Sequence, residues 1–296
     1  MKRIYKYAVL FASVVVVVCF LALLTNNAKP RGPSDKLQVS TSFYPLYFFA
    51  SEIGGSNATV YNITPVGVEP HDYEPTAQDI ARIENNDLLI LNGKGLESWG
   101  NRFTNSGSTK AHVAVVGEID ATSDPHVWLD PNLARIEVQK IADAYTKVDP
   151  AYSNDYISRT EKLLLQLDEL DKEFTDAFKN CSQKNFVTSH EAFGYLAKAY
   201  GLKQVPIAGL SPDAEPSSQQ LARVAKFAKD NNLKFIFFES LVSPKLAETI
   251  AQEVAVKTLV LDPLEGISDT DSAAGKNYFT VMRQNLLNLR TALSCK

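Results

Sequence analysis

Short apolar runs alternate along the chain with stretches in which apolar residues recur every three or four positions. The runs are typical of strands, and the longer stretches of amphipathic helices. The predicted strands are 37–42, 59–63, 87–91, 113–116, 186–188, 204–207, 235–238 and 258–261. The predicted helices include 76–84, 133–145, 192–200, 217–229 and 244–254. This alternation predicts an α/β fold of parallel βαβ units.

A long amphipathic stretch separates two groups of four predicted strands. Its single apolar stripe comprises Leu163, Leu167, Leu170, Phe174 and Phe178. A helix of about 30 residues spans ~45 Å. We therefore predict two lobes, each with a mostly four-stranded parallel sheet flanked by helices, joined by one long rigid connector helix. A packing helix within one large domain is the alternative. The predicted boundaries are 37–148 for the N-terminal lobe, 149–180 for the connector and 181–296 for the C-terminal lobe.

A short internal repeat also favours two lobes. Glu74-Pro75-Thr76 and Glu215-Pro216-Ser217 lie 141 residues apart, and each precedes an amphipathic stretch. Proline followed by Thr or Ser is typical of a helix start. The repeat therefore predicts equivalent helices in the two halves of the chain.

The first 36 residues differ from the rest. Lys2, Arg3 and Lys6 precede an apolar run over 8–24, which predicts an export signal or an uncleaved membrane anchor, followed by a linker. Val16, Val17 and Val18 precede Cys19, where a lipidation site has small residues, so lipidation is the less favoured alternative. We expect the body of the protein to lie outside the cytoplasm, in the periplasm or at the outer face of the membrane.

Composition and net charge limit the classes of molecule that the protein could bind. Hydrophobic residues make up 45% of the 296 residues, which is typical of a globular protein. The net charge of −4 argues against nucleic acid, because no basic stripe is present to neutralise phosphates. Small or weakly charged partners fit better.

Four residues with metal-ligating side chains follow predicted strands. His71, His126 and His190 come after the second, fourth and fifth strands, and Asp262 after the last. Ligands of open α/β sheets bind beyond the carboxyl ends of strands, so we expect these residues to converge between the lobes. Three imidazoles and one carboxylate suit zinc, and four protein ligands favour capture over catalysis.

Other interpretations stay open at this point. His112 begins a strand, at the opposite edge of its sheet, so a surface role is favoured there. His190-Glu191 lacks the second histidine of a zinc-protease motif. The alternatives to metal capture are a metal-dependent hydrolase, with Glu191 as its base, and a surface adhesin or interaction module.

Six segments carry a resemblance to a known family. They are PVGVEPHDYEPTAQDI (65–80), DLLILNGKGLESW (87–99), DPHVWLDP (124–131), TSHEAFGYLAKAYGL (188–202), FESLVSPKLAETIAQEV (238–254) and LVLDP (259–263). In these segments, and over about 37–295, the chain resembles the zinc- and manganese-binding solute-binding proteins of ABC transporters. The resemblance implies two α/β lobes joined by one long helix, with the metal between them.

The resemblance also implies a function and its residues. By motif, it implies His71, His126, His190 and Asp262 as the ligands. A histidine at position 190 is the form found in zinc binders of this family, whereas manganese binders often have glutamate. We therefore expect zinc first and manganese second. The resemblance further implies a monomeric, non-enzymatic protein that delivers its ion to the membrane permease of an ABC importer.

Two cysteines remain in the body of the protein, Cys181 and Cys295. Cys181 precedes the first strand of the second lobe, and the last predicted helix ends near Cys295 on the same side. A disulfide is feasible in an exported protein. Two free thiols are the alternative.

Overall fold

The computed structural model describes residues 36–105, 109–212 and 214–296. Residues Leu37–Lys296 form one compact unit. The predicted export signal or anchor lies outside the described residues, apart from Lys36 at its end. Within the described ranges, no helix has both the length and the apolar character needed to cross a membrane.

The structure contains eight described strands and ten described α-helices. The strands are β1 (Leu37–Thr41), β2 (Ala58–Asn62), β3 (Leu88–Leu91), β4 (His112–Val115), β5 (Asn185–Thr188), β6 (Lys203–Pro206), β7 (Phe235–Phe238) and β8 (Lys257–Val260). The helices are α1 (Tyr44–Gly54), α2 (Ala77–Asn85), α3 (Asn101–Asn105), α4 (Pro131–Val148), α5 (Ser153–Ala177), α6 (Gly194–Ala199), α7 (Ser218–Asp230), α8 (Lys245–Glu253), α9 (Asp269–Ala273) and α10 (Tyr278–Ala292).

The strands confirm the predicted parallel α/β architecture. All eight lie within one residue of their predicted positions. Strands β1–β4 form one parallel sheet in the order β2-β1-β3-β4. The later strands form two parallel pairs, β5-β6 and β7-β8, where one four-stranded sheet was expected. Strands β5 and β7 still pack side by side, and the Phe186 and Phe237 ring centroids lie 6.2 Å apart.

Helix α5 is the predicted long connector between the two groups of strands. Its apolar stripe is buried throughout: Leu163, Leu167, Leu170, Phe174 and, just beyond the helix, Phe178. The stripe packs against α1, α4 and α10, which come from both sides of the connector in the sequence. We call residues 37–148 the N-terminal lobe and residues 181–296 the C-terminal lobe.

The two lobes share a buried aromatic contact. Trp128 and Tyr278 are each fully buried. The Trp128 indole donates to the Pro263 carbonyl at 2.7 Å, and the Tyr278 hydroxyl donates to the Trp128 carbonyl at 2.6 Å. The Tyr278 and Phe49 rings meet edge to face at 4.8 Å between centroids. Separating the lobes widely would expose these groups, so the packing favours small adjustments over a wide hinge.

The internal repeat corresponds to two equivalent helix starts. The Thr76 side chain caps α2 by accepting the Asp79 N–H at 3.2 Å. The Ser217 hydroxyl caps α7 by accepting the Gln220 N–H at 3.2 Å. The repeated Pro-Thr and Pro-Ser pairs therefore mark the same local structure in each lobe.

Helix α1 is absent from the sequence-based prediction. Its sequence, YPLYFFASEIG, is apolar on several faces, and seven of its eleven residues are buried. A helix buried on most sides shows little of the amphipathic periodicity by which helices are identified.

Cys181 and Cys295 form a disulfide. It joins the end of the connector region to the C-terminus across 114 residues of sequence. Backbone pairing supports it, because the Gln183 N–H donates to the Leu293 carbonyl at 3.1 Å. In the loop-entropy model, closing a loop of this size stabilises the fold by on the order of 4–5 kcal/mol.

A buried carboxyl group in α4 makes stability depend on pH. Glu137 is 0% exposed, and neither of its carboxylate oxygens has a hydrogen-bond partner among the described residues. Burial, with a smaller contribution from Glu97 and against the opposing effect of Lys140, raises the pKa of Glu137 to about 8. The folded protein therefore favours the protonated form.

We expect Glu137→Gln to remove this pH dependence. In the unfolded chain the carboxyl ionises near its ordinary pKa of about 4.3, so wild-type stability falls as pH rises from there to about 8. The stability of the variant relative to wild type should rise by on the order of 3 kcal/mol between pH 5 and pH 8. Urea unfolding at both pH values measures this, with exposed Glu161→Gln as control. An equal difference at both pH values would contradict it.

Candidate metal centre

Loops from both lobes bring three histidines together. His71 lies in the loop after β2 and His126 in the segment after β4. His190 lies two residues beyond β5, in the C-terminal lobe. Because these strands are parallel within their sheets, their carboxyl ends face a common region, as the sequence analysis predicts for these three residues.

A glutamate completes the cluster. The side-chain ligand atoms of His71, His126, His190 and Glu265 all lie within 4.8 Å of one another. Glu265 Oε1 lies 3.3 Å from His71 Nε2, 3.1 Å from His126 Nε2 and 3.2 Å from His190 Nε2. The Nε2 atoms of His126 and His190 are 3.3 Å apart. Four nitrogen and oxygen atoms thus surround one small volume.

Carboxylates fix the orientation of two of the imidazoles. His126 Nδ1 lies 2.7 Å from Asp124 Oδ1, and His190 Nδ1 lies 2.7 Å from Glu239 Oε2. When Nδ1–H donates to a carboxylate, the Nε2 lone pair is left free to bind a metal ion. Both Nε2 atoms point into the cluster, so the tautomer that these bonds favour is the one that ligation requires.

Backbone hydrogen bonds hold the same carboxylates in place. Asp124 Oδ1 also accepts the His126 N–H at 3.0 Å, and Glu239 Oε1 accepts the His190 N–H at 3.0 Å. In the His71 loop, Glu69 Oε1 accepts the His71 N–H at 3.1 Å. Each histidine is therefore positioned by a carboxylate near it in space.

Charge is concentrated in this buried site. Burial alone would lower the pKa of His190, but Glu265 and Glu239 raise it to about 11. Burial opposes ionisation of Glu265, yet the three histidines, His190 most strongly, hold its pKa well below the usual range. Imidazoles and carboxylates therefore stabilise each other's charges in this site, and a bound cation would compete with protons for the histidine nitrogens.

The carboxyl groups of Glu69 and Glu265 influence each other inside the site. Burial and the neighbouring Glu265 raise the pKa of Glu69 to about 9. In the part of the chain that the structure describes, Oε2 of Glu69 and Oε2 of Glu265 are buried, and no N–H or hydroxyl group donates to them. With a pKa of about 9, the Glu69 carboxyl is protonated at neutral pH, so it can donate a hydrogen bond to the ionised Glu265 carboxylate, and this interaction contributes to the raised pKa.

Asp262 lies outside the cluster, although the sequence analysis named it as the fourth ligand. Its Oδ2 accepts the Ser240 hydroxyl at 2.6 Å, and its Oδ1 accepts the Leu264 N–H at 2.8 Å. Leu264 has a positive φ of 58°. Asp262 thus stabilises a tight turn, and that turn carries Glu265 into the cluster.

The signal that sequence reasoning missed lies three residues further on. Because ligands bind beyond the carboxyl ends of strands, the sequence indicates that the segment after β8 supplies a ligand. It does not indicate which of the two acidic residues in that segment faces the cleft. The motif LDPLEG contains both Asp262 and Glu265. An Asp-Pro pair is typical of a turn. Glu265, which follows that turn, was therefore the alternative candidate for the fourth ligand. The remaining histidine, His112, begins β4 at the opposite edge of the sheet.

Comparison with known proteins gives a consistent picture. The model of the family described as zinc-uptake complex component A, periplasmic, matches residues 39–292. The high-affinity zinc uptake system protein ZnuA of Bacillus subtilis is 40% identical, over 95% of this chain and 97% of that protein. Zinc-binding protein AdcA of Streptococcus pyogenes is 35% identical, but the chain spans only 61% of its length.

Solved structures agree with these relatives. The Zn(II)-bound ZnuA-like domain of Streptococcus pneumoniae AdcA has a TM-score of 0.79 and 37% identity, covering 88% of this chain and 99% of that one. The laminin-binding protein Lmb of Streptococcus agalactiae, described as bifunctional with adhesin and metal transporting activity, has a TM-score of 0.80 and 35% identity. That match covers 87% of this chain and 99% of that one.

Proposed function

This chain belongs to the family of the zinc-uptake complex component A, periplasmic, and on that premise we propose that it captures one zinc ion with His71, His126, His190 and Glu265. The protein is a solute-binding component of metal uptake and not an enzyme.

One observation carries the choice of ion. Four ligands about 2.0–2.1 Å from zinc, at tetrahedral corners, lie roughly 3.3 Å from one another. Of the six separations among the four ligand atoms, four measure 3.1–3.3 Å, which matches this spacing. Three nitrogens and one oxygen also favour zinc over manganese, which prefers more oxygen ligands.

The delivery step follows from the class of protein. We propose that the loaded protein docks on the membrane permease of an ABC importer, outside the cytoplasm, and acts as a monomer. An export signal or an N-terminal anchor in residues 1–36 would keep it there. Ligands from two lobes suit this task, because a small separation of the lobes draws His190 and Glu265 away from His71 and His126 and so breaks up the four-ligand site.

Metal analysis tests the choice of ion. Metal-stripped protein is offered equal amounts of zinc and manganese, passed over a desalting column and analysed by inductively coupled plasma mass spectrometry. We expect one zinc and almost no manganese per chain. Retention of manganese in place of zinc would contradict the choice of ion, and the absence of any stoichiometric metal would contradict the capture function.

Laminin binding is a second candidate function, because the laminin-binding protein Lmb of Streptococcus agalactiae, which is 35% identical, is described as an adhesin. Biolayer interferometry on immobilised laminin, with metal-stripped and zinc-loaded protein, tests it. Saturable binding in either form would support an additional adhesin role.

A further inference from the structure

A cluster of polar side chains beside the metal centre joins the two lobes. It begins in the loop after β3, where Gly93, Lys94 and Gly95 all have positive φ, at 87°, 53° and 81°. The Glu97 carboxylate fixes this loop by accepting the N–H groups of Asn92 at 2.8 Å and Gly93 at 2.9 Å. A left-handed lysine is unusual, so the loop holds Lys94 in a conformation that most sequences avoid.

Lys94 reaches inward rather than into solvent. Its side chain is only 3% exposed, and its ammonium group forms an ion pair with Asp120. The same group lies 3.0 Å from the Thr122 carbonyl, 3.2 Å from the Thr122 hydroxyl and 3.0 Å from the Tyr195 hydroxyl. A buried ammonium needs such partners, so the bonds depend on one another.

Tyr195 brings the C-terminal lobe into this cluster. It lies in α6, and its hydroxyl is 2.9 Å and 3.1 Å from the two Asp120 carboxylate oxygens and 3.2 Å from the Asp124 carbonyl. Asp124 is the residue whose carboxylate holds the His126 imidazole at 2.7 Å. The contact between the lobes therefore ends on the segment that positions one metal ligand.

We propose that Lys94 and Tyr195 form an interlobe latch, which holds the 120–126 segment against the C-terminal lobe and slows the release of the metal ion. The proposal rests on the proposed function. Release requires ligands of the two lobes to separate, and the Tyr195 bonds must break as they do. Lys94 and Tyr195 do not belong to the ligand set, so they act as positioning residues.

Tyr195→Phe removes the hydroxyl that bonds the C-terminal lobe to Lys94, Asp120 and Asp124, while keeping the aromatic ring. Loss of a hydrogen bond to a charged group should raise the zinc dissociation rate by about tenfold, with little change in the association rate. Zinc-loaded protein is mixed with excess EDTA in a stopped-flow instrument. Trp128 fluorescence reports the release, because its ring lies 5.2 Å from the His126 ring.

Lys94→Met provides an independent second variant. We expect a similar increase in the dissociation rate, and no further increase when both substitutions are combined, because the two residues act as one unit. Thermal unfolding of the metal-free variants checks that each is folded. Fully additive effects of the two substitutions would overturn the latch as a single unit.

Tyr200→Phe is the matched control. The Tyr200 hydroxyl donates to the Asp171 carboxylate at 2.9 Å, so this variant loses a similar bond directly after α6, but to the connector helix. Its dissociation rate should stay within about twofold of wild type, a margin well below the effect of one such bond. An unchanged rate in Tyr195→Phe, or an equal increase in Tyr200→Phe, would overturn the latch alone. Failure of the wild type to bind zinc would overturn the proposed function as well.

Discussion

Replacing His190 by Ala will lower the affinity for zinc by more than about 100-fold. Loss of a residue that only supports a ligand lowers metal affinity by about 10–100-fold, and loss of a ligand itself should cost more. His190 supplies a nitrogen that lies 3.2–3.3 Å from the cluster atoms of Glu265 and His126. It is also 0% exposed, so no side chain can easily swing in to replace it. Competition with a chelator of known affinity at pH 7.5 measures the change.

A second histidine variant provides the control for His190→Ala. His112→Ala removes a histidine at the opposite edge of the sheet, and its zinc affinity should match wild type. His190→Ala also leaves the buried Glu239 carboxylate without its imidazole partner, which could destabilise the fold. His190→Gln keeps a polar side chain there and serves as a second variant. Wild-type affinity in both His190 variants would refute this residue as a ligand.

Replacing Glu265 by Gln should have an effect of the same size. Glu265 Oε1 is the atom that all three histidines approach, and the side chain is 1% exposed. The amide keeps the shape but removes the negative charge that partly neutralises a bound cation in a buried site. We expect the zinc affinity to fall by more than about 100-fold, since a ligand should matter more than the groups that support ligands.

Asp262→Asn is the matched comparison for Glu265→Gln. Both variants exchange a carboxylate for its amide, three residues apart in the same turn, although Glu265 is buried and Asp262 only partly so. Asn can still accept the Leu264 N–H, so the turn should persist and the affinity should fall by less than about tenfold, as expected for an indirect effect. If Asp262→Asn proves the more damaging of the two, the original sequence-based choice of ligand is the better one.

Most of the fold could be predicted from local patterns. The eight strands are short apolar runs between turn residues, and the connector has a single apolar stripe from Leu163 to Phe178. Both patterns can be recognised from neighbouring residues alone. Helix α1 does not, because its neighbours cover it on several sides. The division of the last four strands into two pairs depends on ladder contacts between distant segments, which a local pattern does not contain.

The candidate site, too, could be predicted only in part from the sequence. Histidines are rare in this chain, and three of the four follow strands, so position alone selects them. Carboxylates are common, and the choice between Asp262 and Glu265 depends on the left-handed turn at Leu264. The supporting carboxylate Glu239 lies 49 residues from the histidine that it orients. Only the folded chain brings such pairs together.

The most direct test is anomalous diffraction at the zinc absorption edge from crystals of the zinc-loaded protein. We expect one strong peak per chain, about 2.0–2.2 Å from Nε2 of His71, His126 and His190 and from Oε1 of Glu265. Asp262 should remain bonded to Ser240. A single peak elsewhere, or one coordinated by Asp262 in place of Glu265, would contradict this account of the site.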